Sequence, residues 1–116
     1  MPSRDTRTYF NDIIESIDRI ERFVGGMDFE SYQLDDKTKS AVERQIQILT
    51  EAAKILGATA ESLCPGPDWK GLRGMGDLLR HAYHRIDDRI IWDTVTLELP
   101  PLKLAIEKTL TSPNLV

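Results

Sequence analysis

The chain has 116 residues, 41% hydrophobic and 29% charged, with a formal charge of −4, which is enough apolar material for one core and excludes a second full domain. A single cysteine, Cys64, excludes an intramolecular disulfide framework; the apolar runs are too short to span a membrane and the opening MPSRDTRTYF has no signal-type stretch, so the expected location is the cytoplasm. An acidic chain repels polyanions as a whole, so any nucleic-acid contact requires a local basic surface.

Phe10, Ile13, Ile14, Ile17, Ile20 and Val24 step by three and four, the period of one amphipathic helix, and Gly25-Gly26 end it. A polar connection, MDFESYQLDD, follows. Val42, Ile46, Leu49, Ala53, Leu56, Ala60 and Leu63 predict a second helix from about Thr38 to Leu63, with Gly57 as a soft spot. At about 1.5 Å per residue it forms the longest rod, near 40 Å. The stretch CPGPDW then turns the chain, with Trp69 expected to fold onto the core. A third, glycine-weakened helix is expected from Gly71 to about Tyr83. Asp87 or Asp88 caps a fourth, DRIIWDTVTLEL, which Pro100-Pro101 end. A fifth follows with Leu102, Ala105, Ile106 and Leu110 stepping alike, and TSPNLV, from about residue 111, is a frayed tail. No alternating strand pattern of useful length exists. The expected fold is all-α: residues 1–116 as one domain, an antiparallel bundle of about five helices.

Between Lys70 and Arg89 five cations face three carboxylates, a local balance of +2 that leaves −6 for the rest, and both histidines, His81 and His84, lie in the same window. At 100° per residue the third helix places Leu72, Met75, Leu78, Leu79, Ala82 and Ile86 on one side and Arg73, Asp77, Arg80, His81 and His84 on the other. Asp77 and His81 are four apart, as are Arg80 and His84, so each pair can touch. A solvated helix surface with ordinary ion pairs accounts for this face equally well. Its functional alternative is phosphate handling: arginine offers paired donors to a phosphodiester and histidine exchanges a proton near neutral pH, which suffices for cleavage of RNA by its own 2′-hydroxyl without a metal. Two copies of the face paired across a two-fold axis make a fuller site. A metal site from His81, His84 and Asp87 is disfavoured, because a regular helix spreads them over two turns and no cysteine assists. Trp69 and Trp92 read as core residues. Glu51 and Arg44, on the long helix, read as members of buried or interface ion pairs.

The run WKGLRGMGDLLRHAYHRIDDRIIW, from Trp69 to Trp92, resembles the signature of HepT-type proteins of the HEPN superfamily, the toxin halves of HepT/MntA toxin–antitoxin pairs. The segment Asp35 to Lys54 and the LPPLK stretch are similar to the same family, and the resemblance runs from about Arg7 to Leu110. It implies an all-α homodimer with a metal-independent, cofactor-free ribonuclease site between protomers. It also implies a nucleotidyltransferase antitoxin of the MntA type, which transfers AMP to the tyrosine of an H-x-Y motif. His81 matches the motif histidine and Tyr83 the modified tyrosine. The place of the motif arginine falls on Gly76, and Asp77 stands where asparagine is usual. Arg73 lies one residue outside the motif's spacing, about 12 Å from His81 along a straight helix, and Arg80 is directly adjacent to His81. Either Arg80 or Arg73 takes the arginine role, with Asp77 orienting the histidine, or the chain is a helical binding module that pairs with the transferase and cleaves nothing. A third reading gives the basic face to a free nucleotide.

Overall fold

The first apolar period becomes helix α1, Arg4–Val24, which buries Phe10, Ile13, Ile17 and Ile20 completely. The computed structural model describes residues 4–82 and 86–112, the side chain of Arg4 excepted. The chain turns at Gly25-Gly26, where Gly26 has φ 81°, a left-handed conformation that glycine adopts without strain.

The polar connection is not structureless. Residues Phe29–Gln33 form a short helix, α2, with Asp28 as its N-cap: the carboxylate accepts the Ser31 backbone N–H at 2.8 Å. Tyr32 is fully buried and stacks at 5.2 Å on Trp92, which supplies the stabilisation that five residues lack on their own. Asp35 then caps α3, Asp36–Leu56, by accepting the Thr38 N–H at 3.0 Å. The local hydrogen bonds at both caps hold these carboxylates below the usual aspartate range.

The expected 40 Å rod is shorter. Helix α3 stops at Gly57, and a separate helix, α4, Ala58–Leu63, follows it. Gly57 has φ 55° and ψ −141°; its N–H still donates to Ala53, while its carbonyl accepts the Ala60 N–H. A residue free to take positive φ makes the break available, and hydrogen bonds on both sides fix it.

After the turn, Trp69 is 1% exposed, lies edge-on to Phe10 at 6.2 Å and donates its indole N–H to the Cys64 carbonyl at 2.8 Å. It opens helix α5, Trp69–Ala82. Helix α6, Asp88–Asp93, is capped by Asp87, whose carboxylate accepts the Arg89 N–H. It does not end at Pro100-Pro101. A π turn, Thr94–Glu98, carries it into α7, Leu99–Leu110, and the Leu99 N–H reaches back to Thr94. The prolines fall in the first turn of α7, where a missing N–H costs little.

Helix α1 packs along α3 and α7, and α5 packs on α3. Arg7 reaches the Leu110 carbonyl and Asp18 pairs with Lys103, so α1 and α7 run antiparallel. Among the described residues there is no strand, so the chain is an all-α bundle. No helix among them is long and apolar enough to cross a membrane. Gly57→Ala, which meets nothing closer than the Lys54 carbonyl at 3.9 Å, isolates the backbone cost of positive φ. It is expected to lower unfolding free energy by about 1–3 kcal/mol in urea titrations.

Candidate active site

Helix α5 docks on α3 through a residue with no side chain. Gly76 is buried against Thr50, and a Cβ on residue 76 would overlap the Thr50 hydroxyl and lie 2.5 Å from the Thr50 Cβ. The Thr50 hydroxyl is satisfied within α3, donating to the Ile46 carbonyl at 2.7 Å. Trp69, Leu72, Met75 and Leu79 complete the contact with the core. Leu78, expected on the apolar side, is 46% exposed. The close approach at Gly76 turns the helix so that 76 and 79, rather than 78, point inward.

The crossing fixes the fate of two arginines on either side of it. Arg73, one turn before, lies over the C-terminal end of α3. Its Nε donates to the Ala53 carbonyl at 3.1 Å and Nη2 to the Gly57 carbonyl at 2.7 Å, while Nη1 and Nη2 grip Glu61 of α4 at 2.9 and 2.7 Å. Four hydrogen bonds leave one of five guanidinium N–H groups. Arg73 thus staples the Gly57 break; its bond to Glu61 raises the arginine's pKa and lowers that of the glutamate.

Arg80, one turn after the crossing, reaches Glu51 of α3 with Nη1 at 2.9 Å and Asp77 with Nη2 at 2.5 Å. Three of its five N–H groups remain for another ligand. Asp77 also faces Lys54 at 3.6 Å, and the Arg80 hydrogen bond, aided by Lys54, keeps its carboxyl below the usual aspartate range. The carboxylate is therefore turned to Arg80 rather than to His81. His81 is exposed and has no hydrogen-bond or ion-pair partner among the described residues. The structure thus brings Arg80, Asp77 and Glu51 into one network beside His81 and sets Arg73 apart on the other side of the crossing. Tyr83 and His84 lie outside the described residues.

The basic window is largely neutralised. Arg73, Arg80 and Arg89 each face a carboxylate, and Arg89 also lies 4.7 Å over the Phe29 ring. Cys64 is buried, which pushes its thiol pKa up and removes it as a nucleophile. Among the described residues no three histidine, cysteine, aspartate or glutamate side chains gather as a metal would require. Arg44 and Glu51 do not pair with each other: Glu51 holds Arg80, and the exposed Arg44 guanidinium has no partner among the described residues.

A family model described as "Ribonuclease HepT-like" matches residues 13–109, nearly the whole bundle including the crossing and His81. The chain belongs to the HepT-like ribonuclease family. It is 38% identical over 105 residues to a protein of Thermococcus cleftensis named "Probable ribonuclease HepT", covering 90% of this chain and 96% of the relative. A candidate RNase of Methanocaldococcus jannaschii is 36% identical over 100 residues, 86% of this chain and 83% of its own. Another, from Caldanaerobacter subterraneus subsp. tengcongensis, is 31% identical over 104 residues, 90% and 93% of the two chains. No solved structure matches. In this HepT-like chain Gly76 is the helix contact itself, so a long side chain at residue 76 is incompatible with the observed docking of α5.

The two arginines are separable by experiment. Arg73→Ala removes two charge-assisted bonds to part-buried carbonyls and is expected to lower unfolding free energy by about 2 kcal/mol in urea titrations. Arg80→Ala, at an exposed pair, is expected to change it by about 0.5 kcal/mol or less.

Proposed function

We propose that the chain is a HepT-type endoribonuclease that cleaves RNA without a metal, using His81 for proton transfer and Arg80 for charge stabilisation. The observation that carries this reading is an exposed, unpartnered imidazole next in sequence to an arginine that keeps three free N–H groups, in a chain of the HepT-like ribonuclease family. Glu51 and Asp77 fix the direction of that guanidinium. Arg73, consumed by α3 and α4, supports the scaffold.

In the proposed reaction the RNA 2′-oxygen bonds to the adjacent phosphorus and the bond from phosphorus to the 5′ oxygen breaks. The products are a 2′,3′-cyclic phosphate and a free 5′-hydroxyl. One imidazole takes the 2′ proton, and the leaving oxygen receives a proton from the imidazole of a second copy, the two faces meeting across a two-fold axis. Arg80 stabilises the charge that builds on the non-bridging phosphate oxygens.

The proposed setting is the cytoplasm, with the chain as the toxin of a toxin–antitoxin pair and a nucleotidyltransferase of the MntA type as antitoxin. AMP placed on Tyr83 adds negative charge two residues from His81, where a polyanion must approach, and so turns cleavage off. Incubation with the transferase and ATP is expected to add AMP-sized mass increments to the chain but not to Tyr83→Phe.

A second reading, the helical module that binds the transferase without cleaving, draws on one specific observation: the motif arginine's place is occupied by Gly76, and Arg80 is already shared between two carboxylates. RNA incubated with purified protein in EDTA separates the two. Fragments ending in cyclic phosphate, reduced at least about 100-fold by His81→Ala and strongly by Arg80→Ala, are expected from the nuclease. Intact RNA with the wild-type chain establishes the binding module instead.

A further inference from the structure

Arg80 also forms one end of a groove of about 420 Å³ between α1 and α3. Ile48, Ala52 and Ile55 give it apolar lining, and Tyr9 and Asp12 from α1 and Arg44, Gln47 and Glu51 from α3 give it polar lining. Of these, Tyr9, Asp12, Arg44 and Gln47 have no hydrogen-bond or ion-pair partner among the described residues. This contrasts with the rest of the surface nearby, where Arg80, Asp77 and Lys54 are all paired.

A groove with apolar lining and several unpaired polar side chains has the general form of a small-ligand site, and its volume lies in the range such sites occupy. The chemistry of the lining narrows the class. A free guanidinium takes a phosphate. A half-buried tyrosine ring beside isoleucine offers a flat apolar wall to a planar base. The Gln47 amide both donates and accepts, and the Asp12 carboxylate accepts, so the two together suit a base edge that presents amino groups. Arg44 and Glu51, the residue that holds Arg80, are seven apart on α3 and therefore share one face, about 10.5 Å apart along the axis.

We propose that this groove is a subsite for one ribonucleotide of a bound RNA strand, with the base against Tyr9 and Ile48, its edge on Gln47 and Asp12, and its phosphate on Arg44. The inference rests on RNA being the substrate and deepens that reading: the strand that presents a linkage to His81 continues past Arg80 into the groove. A groove with the unpaired Arg44 in its lining and polar side chains able to read a base gives the enzyme a preference among nucleotides at that position.

The test uses the full-length ¹⁵N-labelled chain in EDTA. Titration with the four ribonucleoside 3′-monophosphates is expected to shift the amide resonances of Tyr9, Asp12, Arg44 and Gln47 together. Arg44→Ala is expected to weaken binding at least about fivefold, and Gln47→Ala to change the ranking of the four bases. In the His81→Ala background a short single-stranded RNA is expected to bind at least about tenfold tighter than the best mononucleotide; equal affinities mark a free-nucleotide site and overturn the proposal. So do shifts confined to residues outside the groove, an Arg44→Ala chain with unchanged binding, or groove resonances that respond only to protein concentration, the sign of a second copy seated there. Cleavage in EDTA by a chain whose groove does not respond removes this subsite and leaves the nuclease standing. Groove binding in a chain that cleaves nothing supports the subsite and removes the nuclease.

Discussion

The close approach of α5 to α3 at Gly76 and Thr50 is the constraint on which the site depends. With no Cβ at residue 76, the two helices meet through the backbone of one and a threonine side chain of the other. That contact sets both the depth and the rotation of α5. It carries Arg73 over the carbonyls released where α3 breaks and Arg80 over Glu51, while His81 is left facing outward. A substitution at Gly76 therefore acts on the placement of Arg73, Arg80 and His81 without touching them.

The electrostatics follow from the same geometry. The window from Lys70 to Arg89 has an excess of positive charge in sequence, yet α3 and α4 bring Glu51 and Glu61 to its arginines, so the folded surface is close to balanced there. What distinguishes one arginine from another is the number of N–H groups left after its partners are satisfied. Arg73 retains one and Arg80 three. In the proposed nuclease a phosphate at Arg80 would join this network through the N–H groups it leaves free, and exposure keeps each of the existing pairs weak enough to rearrange.

The helical period made the fold class legible, because Ile13, Ile17 and Ile20, or Val42, Ile46 and Leu49, reach the core by their spacing alone. Local cap chemistry was legible too, as at Asp87. The departures arise where tertiary contacts override local pattern. Gly57 breaks a run whose apolar spacing continues through it, and Arg73, sixteen residues beyond Gly57, supplies bonds that hold the break. Tyr32 makes a helix of a segment too short to form one unaided. The π turn lets α6 pass into α7 although a double proline ordinarily stops a helix. In the site, the face carrying Asp77, Arg80 and His81 could be read from 100° steps, but the inward turn of Gly76 in place of Leu78 could not, because glycine carries no hydropathy signal. Nor could the separation of Arg73 from Arg80: the two are seven apart and share a face by period, and only the position of the crossing between them divides their roles. Arg44 reads in sequence as an ion-pair member, but only the fold shows that no carboxylate among the described residues reaches it.

The central claim is that the helix crossing excludes a side chain at residue 76 and thereby leaves Arg80 as the guanidinium beside His81. Its most direct measurement is a double variant that moves the arginine back to the motif's usual place, Gly76→Arg with Arg80→Ala, assayed for thermal unfolding and for RNA cleavage in EDTA. The account predicts a chain that loses its cooperative transition, or unfolds far below wild type, and cuts nothing. A double variant that unfolds at the wild-type temperature and cleaves RNA would contradict it.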